Sequence, residues 1–399
     1  MSDLTNFRQD TRAWLEQNCP AGARGPGPVH SGSTKQKFDT DIQQWLDVMA
    51  QRGWTVPAWP KEYGGGGLSK AETEVLYEEM ARLDARLPLV NMGTRMLGPT
   101  LLEYGTEEQK KRHLTVIAAG KAAWCQGYSE PGAGSDLAGL RARAEDNGDQ
   151  YLINGQKTWT SGAQNADWMF ALVRTDPTAA KHSGISFMLL PMDQPGVTIK
   201  PIQLISGSSP FCETFLDNAI AQKSDLVGQL NEGWTIGKRL LQHERSGQGG
   251  LGAGGGVRLP VGVTVNLDVE EVGRQYLGVE AGRIAEPELR NEVITWRMND
   301  AALKLSQQRA NEESQSSSKT PGEVTSVFKL YGASQARERQ DLIVRLMGSQ
   351  GLGWEGDAFS ATELGAARSW LASRAVTIYG GTNEVQANII AKRVLGLPD

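Results

Sequence analysis

Between positions 151 and 200 the chain carries four short apolar runs, each bounded by Gly, Pro, Asn or Asp. They are Tyr151-Leu152-Ile153-Asn154-Gly155, Trp168-Met169-Phe170-Ala171-Leu172-Val173, Ser186-Phe187-Met188-Leu189-Leu190 and Val197-Thr198-Ile199-Lys200. Runs of that length and punctuation predict strands. On both sides of them the apolar spacing is helical. Leu4, Phe7, Trp14 and Leu15 start a helix that stops before Pro20, and further helices are expected over 38–51, over 71–83 and from Thr106 to about Gly120. Helical spacing returns at Gly233 and persists to Ile390. With 399 residues the chain exceeds one compact core, so the change of period predicts separate domains. The reading is an α+β multidomain chain, mostly α: a helical domain over 1–121, a β domain over 122–235 and a helical domain over 236–399. Breaks fall at 20–33, 64–67, 246–256, 314–318 and 348–353, and Asn154-Gly155 reads as a turn. The Gly64 to Gly67 run lacks phosphate-loop spacing and a following Lys-Ser/Thr, so it too reads as a turn.

The net charge of -5 and pI near 5.6 provide no basic surface for nucleic acid or for anionic lipid, so neither is expected as a partner. Three widely spaced cysteines, Cys19, Cys125 and Cys212, suit free thiols in a reducing compartment. The first residues lack the apolar core of a signal peptide, and no later run suits a bilayer span, which makes the cytoplasm the expected location. No spacing of His and Cys suggests a metal, and none is expected.

Four stretches could carry chemistry. In GWTIGKRLLQHERSG, Gly237, Leu240, Leu241 and Glu244 share one helical face, while Lys238, Gln242 and Arg245 share another. An acid on an apolar stripe is costly unless it is paired, protonated or used. Tyr128-Ser129-Glu130-Pro131-Gly132-Ala133-Gly134-Ser135-Asp136 stands where the helical pattern gives way to strands. Its small residues admit a planar or anionic ligand close to the backbone, or simply make a tight interdomain turn. Trp159 and Ser161, in Lys157-Thr158-Trp159-Thr160-Ser161, set a flat ring beside a hydroxyl; the ring is either core or a platform for an aromatic ligand. Tyr379-Gly380-Gly381-Thr382-Asn383-Glu384 feeds a helix, with Thr382 either capping it or leaving N–H groups for a carbonyl or phosphate oxygen.

In this order these stretches resemble the acyl-CoA dehydrogenase family. The likeness runs through GWTVPAWPKEYGGGG, YSEPGAGSDLAGL, NGQKTWTSG, FCETFLDN, GQLNEGWTIGKRLLQHER and YGGTNEVQANIIAKRVLGLP, nearly the whole chain. It implies an N-terminal helical domain, a middle β-barrel-like domain, a C-terminal four-helix bundle, bound FAD, an acyl-CoA substrate, electron-transfer flavoprotein as acceptor, and a homotetramer or dimer. Carried over by position, it places Gln126, Tyr128, Ser129, Gly134 and Ser135 where flavin and acyl-CoA are held, with Ser135 on the substrate side. Trp159 and Ser161 fall where residues cover the flavin, Thr382 and Glu384 where the rest of FAD is contacted, and Arg245 close to the thioester or CoA.

Three departures matter. Many members carry their catalytic base directly after the Tyr of the last motif, where this chain has Gly380. A branch that includes isovaleryl-CoA and long-chain types carries it instead on the first long C-terminal helix, where Glu244 stands. Glu244 is therefore expected to be the base, with Glu384 and Glu355 as weaker candidates and the Gly380 N–H polarising the thioester carbonyl. The usual Arg-x-x-Phe-Gly stretch is replaced by LGVEAGRIAEPELR, and Arg345 stands where Gln is usual. These last two changes bear on FAD contacts across subunits and leave open a half-site or non-catalytic member of a hetero-oligomer. A flavin monooxygenase or oxidase on the same fold is the other alternative.

Overall fold

Strands β3, Gln150–Ser161, and β7, Phe211–Gln222, run antiparallel along most of their length and form the spine of an eight-stranded sheet. The computed structural model of the chain describes residues 2–249, 267–316 and 324–398. The remaining strands are β1 Trp124–Gly127, β2 Arg143–Asn147, β4 Trp168–Arg174, β5 Ile185–Pro191, β6 Val197–Ile202 and β8 Leu226–Val227. Their order is β6-β7-β3-β2-β4-β5-β8, with β1 laid parallel on β4. All four runs expected as strands are strands. Asn154-Gly155 is not a turn: β3 passes straight through it, with a register shift against β7 between Ile153 and Gly155. The Asn154 side chain exchanges hydrogen bonds with Asn218, whose φ of +54° marks the irregularity on the opposite strand.

The chain divides into two compact units, 1–201 with 211–247, and 202–210 with 248–399. In the first unit β4 and β5 are buried on both faces, which explains their unbroken apolar sequences. Phe170, Leu172, Phe187 and Leu189 pack with Leu97, Leu101, Leu114, Ile117, Ile236 and Leu240 from helices. Met169, Ala171, Val173, Met188 and Leu190 face Ile153, Cys212, Leu216 and Ala219 instead. Helices Ser2–Asn18, Thr40–Gln51 and Lys70–Arg82 enclose a separate core around Leu15, Trp45, Met49 and Leu76. The expected start at Thr106 is a full capping box with Gln109. Gly64 to Gly67 turns the chain as expected, with Gly64 at φ +85°.

The Gly233–Gly249 helix continues through Ser246, where a break was expected; positions 250–256 of that glycine-rich stretch lie outside the described residues. In the second unit, helices Val269–Leu277, Pro287–Ser316, Val324–Met347 and Ala361–Ala372 share a core of Val272, Val293, Ile343, Leu346 and Ala366. Pro287–Ser316 runs on past the break expected at Ser314, and positions 317 and 318 lie outside the described residues.

One buried carboxylate ties the first helix to the third. Glu79, 2% exposed, receives Arg12 Nε at 2.9 Å, Arg8 Nη1 at 3.1 Å and Arg82 Nε at 2.9 Å. The hydrogen bonds from Arg12, then those from Arg82 and Arg8, outweigh its desolvation and bring its pKa down to about 2. A depressed carboxylate pKa stabilises the fold above the unfolded value near 4.5 and ceases to do so as pH falls through about 2. Because the three arginines are partly exposed, solvent screens the cluster, and Glu79→Gln is expected to cost about 2 kcal/mol near neutral pH. The gap in unfolding midpoint between wild type and variant should close as pH drops from about 4.5 towards 2. A gap that does not change with pH would contradict this account.

Candidate active site

Lys157 is the largest polar side chain fully enclosed in the first unit, with no exposed surface. It extends from β3 beneath the glycine-rich loop. Its Nζ donates to Glu130 Oε1 at 2.8 Å, to Leu172 O at 2.7 Å and to Tyr128 O at 3.2 Å. Glu130 is satisfied from its other side by the N–H groups of Arg141 (2.6 Å) and Ala142 (2.9 Å). Burial lowers the Lys157 pKa and the facing Glu130 raises it. With a carboxylate and two carbonyls around it, the ammonium form fits this cage.

One residue on, the Thr158 N–H donates to Ser129 O at 2.9 Å. Lys157 and Thr158 thus hold two consecutive carbonyls of the Tyr128-Ser129 segment. Trp159 then takes φ +58°, inside a register shift between Lys157 and Thr160. Regular alternation would put Trp159 on the buried side with Lys157. The irregularity turns it out instead: its ring is 55% exposed, edge-on to Phe211 at 5.9 Å, while Thr160 is buried. Of the two readings open for Trp159, core and platform, the exposure is not that of a core side chain.

The neighbouring expected residues differ in access. Gln126 and Ser129 are half-buried, Gly134 and Ser135 are exposed, and Ser161 is half-buried at the end of β3. A Cβ added at Gly132, Gly134 or Gly162 would meet nothing within 4 Å, so open space lies over these backbone positions. Tyr128 is different. Its ring is 4% exposed and packs edge-on to Phe170 and Phe187, at 6.1 and 6.4 Å. Its hydroxyl lies 3.4 Å from where a Cβ on Gly237 would stand, so a glycine on the Gly233–Gly249 helix makes room for it. A cavity of about 320 Å³ adjoins the loop, lined by Glu130, Gly132, Arg141 and Gln156 among others.

On the Gly233–Gly249 helix, Gly233, Ile236, Gly237 and Leu240 are buried and Lys238 and Gln242 exposed, the division expected from spacing. Position 244 comes one turn after Leu240. The side chains of Glu244 and Arg245 lie outside the described residues. Just before them, Glu103 accepts two hydrogen bonds from Arg239, at 2.7 and 2.8 Å, and stands 3.2 Å from His243 Nε2. Desolvation and then Arg239 lower the His243 pKa, against the pull of Glu103.

In the second unit the Tyr379-Gly380-Gly381-Thr382 turn takes φ +64° at Gly380 and +91° at Gly381. Thr382 Oγ1 accepts from Val385 N and caps the Asn383–Ile389 helix. Glu384 is exposed; its own N–H and the Thr382 hydroxyl hold its carboxyl below the usual range. Two side chains that sequence reasoning did not single out hold the turn: Lys329 Nζ donates to Gly381 O at 2.7 Å, and Gln386 Nε2 to Gly380 O at 2.8 Å. Glu355 is exposed in a loop, and Arg345 is engaged with Glu292. The stretch after Leu277 forms a small hairpin, Val279–Glu280 with Arg283–Ile284. Among the described residues no cluster of His, Cys, Asp or Glu could hold a metal, and no helix is long and apolar enough to cross a membrane.

Three family descriptions match the chain in succession: the acyl-CoA dehydrogenase N-terminal domain over 2–121, the middle domain over 125–219 and the C-terminal domain over 231–395. The chain belongs to the acyl-CoA dehydrogenase family and is an acyl-CoA dehydrogenase by that membership. Acyl-CoA dehydrogenase IpdE1 of Mycobacterium tuberculosis is 38% identical over 404 residues, spanning 100% of this chain and 99% of that one. FadE34 of the same organism is 36% identical over 351 residues, 88% of this chain but 46% of FadE34. Among solved structures, the Tcur3481-Tcur3483 steroid ACAD is 31% identical with a TM-score of 0.75, covering 100% of this chain and 98% of that one. The ChsE4-ChsE5 complex from Mycobacterium tuberculosis is 28% identical with a TM-score of 0.72, at the same coverage.

The Glu130–Lys157 pair makes the site sensitive to a single change. Glu130→Ala leaves an ammonium buried without its carboxylate, at an expected cost of about 3 kcal/mol or more. Adding Lys157→Met should recover a large part of the lost unfolding midpoint, because the stranded charge is then gone. Equal midpoints for the single and double variants would show that the pair is not coupled.

Proposed function

We propose that this chain is an FAD-dependent dehydrogenase that introduces an α,β double bond into a ring-bearing acyl-CoA, with Glu244 as the base. The family is one of flavoproteins, and the residues present suit the group. An exposed indole stands on β3 between the buried Lys157 and Thr160, the glycine-rich loop beside it leaves open space, and the Asn383 Oδ1 is buried without a hydrogen-bond partner among the described residues. Trp159, Ser161, Ser129 and Gln126 would hold the ring system, and Thr382 and Glu384 the remainder. When bound, the flavin supplies the acceptor for a hydride leaving the β carbon.

The rest of the chemistry falls to side chains and backbone. A proton must leave the carbon next to the thioester, and a carboxylate is a weak base for so weak an acid. Desolvation at the end of an apolar helical stripe strengthens such a base, since it disfavours the charged form. The observation that carries the assignment to Glu244 is the backbone at Gly380. Its φ of +64° is the glycine region, and the place where many members carry their base holds no side chain. What this turn retains is backbone N–H groups, which serve a developing enolate oxygen as well as any side chain does.

The ring-bearing substrate rests on the likeness to the steroid ACAD across the whole chain. That structure and the ChsE4-ChsE5 complex are each named for two proteins, which favours a second reading for assembly: a hetero-oligomer with a sister chain rather than a homotetramer. Electron-transfer flavoprotein is the proposed acceptor.

Anaerobic mixing with a panel of acyl-CoAs should bleach the flavin fastest with a ring-bearing acyl group. Glu244→Gln should remain yellow and lose bleaching by about a thousandfold. Normal bleaching in that variant would remove Glu244 from the mechanism, and preference for straight chains would remove the ring. Expressed alone, a chain that needs a sister should be colourless or aggregated and should turn yellow on co-expression. A yellow homotetramer would settle assembly the other way.

A further inference from the structure

We infer that Glu103 is a positioning residue for the reaction: by holding Arg239 and His243 it fixes the roll of the Gly233–Gly249 helix just ahead of Glu244, the proposed base. The inference rests on that role of Glu244. All three holding residues lie in the first unit.

The apolar hold on this helix ends early. Ile236 and Leu240 are seated in the core that contains Leu97, Leu101, Phe170 and Leu172. Beyond Leu240 only Leu241 adds apolar contact among the described side chains, and it is half-buried. Position 244 comes one turn after Leu240, and the next residues along the helix include Gly247 and Gly249, which are poor helix formers. The hold that remains there is polar. Arg239 gives Glu103 a bidentate pair, Nη2 to Oε1 at 2.7 Å and Nε to Oε2 at 2.8 Å, and His243 Nε2 stands 3.2 Å from the same Oε1. Residues 239 and 243 are four apart and share one side of the helix. Position 244 lies about 100° round the axis from 243 and about 140° from 239. A helix gripped at two points on one side cannot roll without breaking the grip, and roll is what would swing position 244 away from its site.

Glu103 does not serve its own helix. It stands in the last turn of Gly98–Tyr104, where a carboxylate meets the negative end of the helix dipole. It is presented from a firm base, because Leu101, two residues before it, is fully buried in the same core as Leu240. A single partly exposed ion pair adds little hold. This one is bidentate, which fixes orientation as well as distance, and Arg239 Nη1 is tied in addition to Gln242 Oε1 at 3.0 Å. The hydrogen bonds from Arg239 hold the Glu103 carboxyl below its ordinary range, so the pair is charged at neutral pH. A base moved by about 1 Å from a reacting carbon loses rate steeply.

The test uses the flavin-loaded enzyme, in its complete oligomer, with (cyclohexylthio)acetyl-CoA. This analogue has sulfur at the β position and no hydride to give. Loss of its α proton leaves an enolate beside the oxidised flavin, seen as a long-wavelength absorption band, so proton removal is read without turnover. The wild type should show the band. In Glu103→Ala it should fall about fivefold or more, with analogue affinity within about threefold and flavin content unchanged. Glu103→Asp, which keeps the carboxylate, should recover half of the band or more. With a ring-bearing acyl-CoA substrate, kcat of Glu103→Ala should fall about tenfold with KM within about threefold. Arg239→Met should show the same loss of the band, and it decides the matter should Glu103→Ala not fold. A band of wild-type strength in both Glu103→Ala and Arg239→Met, with none in Glu244→Gln, overturns the inference alone. So does a band lost only in step with lost flavin, which would mark Glu103 as merely structural. A wild type without the band, or a band that survives in Glu244→Gln, overturns the role of Glu244 and the inference with it.

Discussion

Much of the first unit's site depends on one ion pair that water does not reach. Lys157 has no exposed surface, and it joins a strand of the sheet, the loop carrying Glu130 and the carbonyls of Tyr128 and Leu172. An ammonium in such a place is tolerated only when every donor finds an acceptor, and here three do. The cost of burying it favours a loop arrangement that satisfies the lysine, and in the arrangement observed the Thr158 N–H reaches Ser129 O and Trp159 is turned outward. Open space beside glycines and an exposed indole are useful to a planar ligand only if they stay where they are.

The second unit uses the same device on a smaller scale. Lys329 reaches from a helix to a backbone carbonyl, and Gln386 secures the carbonyl before it. In each unit a lysine holds main-chain carbonyls, those of Tyr128 and Leu172 in the first, beside the Glu130 carboxylate, and that of Gly381 in the second. This division leaves acid and base chemistry to be supplied elsewhere, and the Gly233–Gly249 helix carries the proposed supplier. That helix is anchored a turn ahead of Glu244 by the paired contacts of Arg239 and His243 with Glu103.

Much of this is legible in the sequence. Strands β4 and β5 show in the sequence because both their faces are apolar, and the Thr106 capping box shows because it needs only local residues. Strand β7 was harder to read. Its inward positions include Cys212 and Thr214, its outward ones Glu213 and Asp217, so burial alternates more cleanly than hydrophobicity. Trp159 could not be placed by period, because an irregularity of one residue reverses its face. Lys157 could not be paired, since Glu130 lies 27 positions away and only the fold brings them together. Lys329, however, was within reach. It shares a helical face with the buried Ser326 and Ala333, and a charge on such a stripe is the same signal that drew attention to Glu244.

The central claim is that proton removal next to the thioester and hydride loss from the next carbon occur together in one site, with Glu244 taking the proton. Isotope effects on anaerobic flavin reduction test it most directly. Acyl-CoA deuterated at the α carbon and acyl-CoA deuterated at the β carbon should each slow the bleaching, and the doubly labelled substrate should slow it further. Bleaching that ignores α deuteration, or no bleaching by any acyl-CoA, would contradict the account.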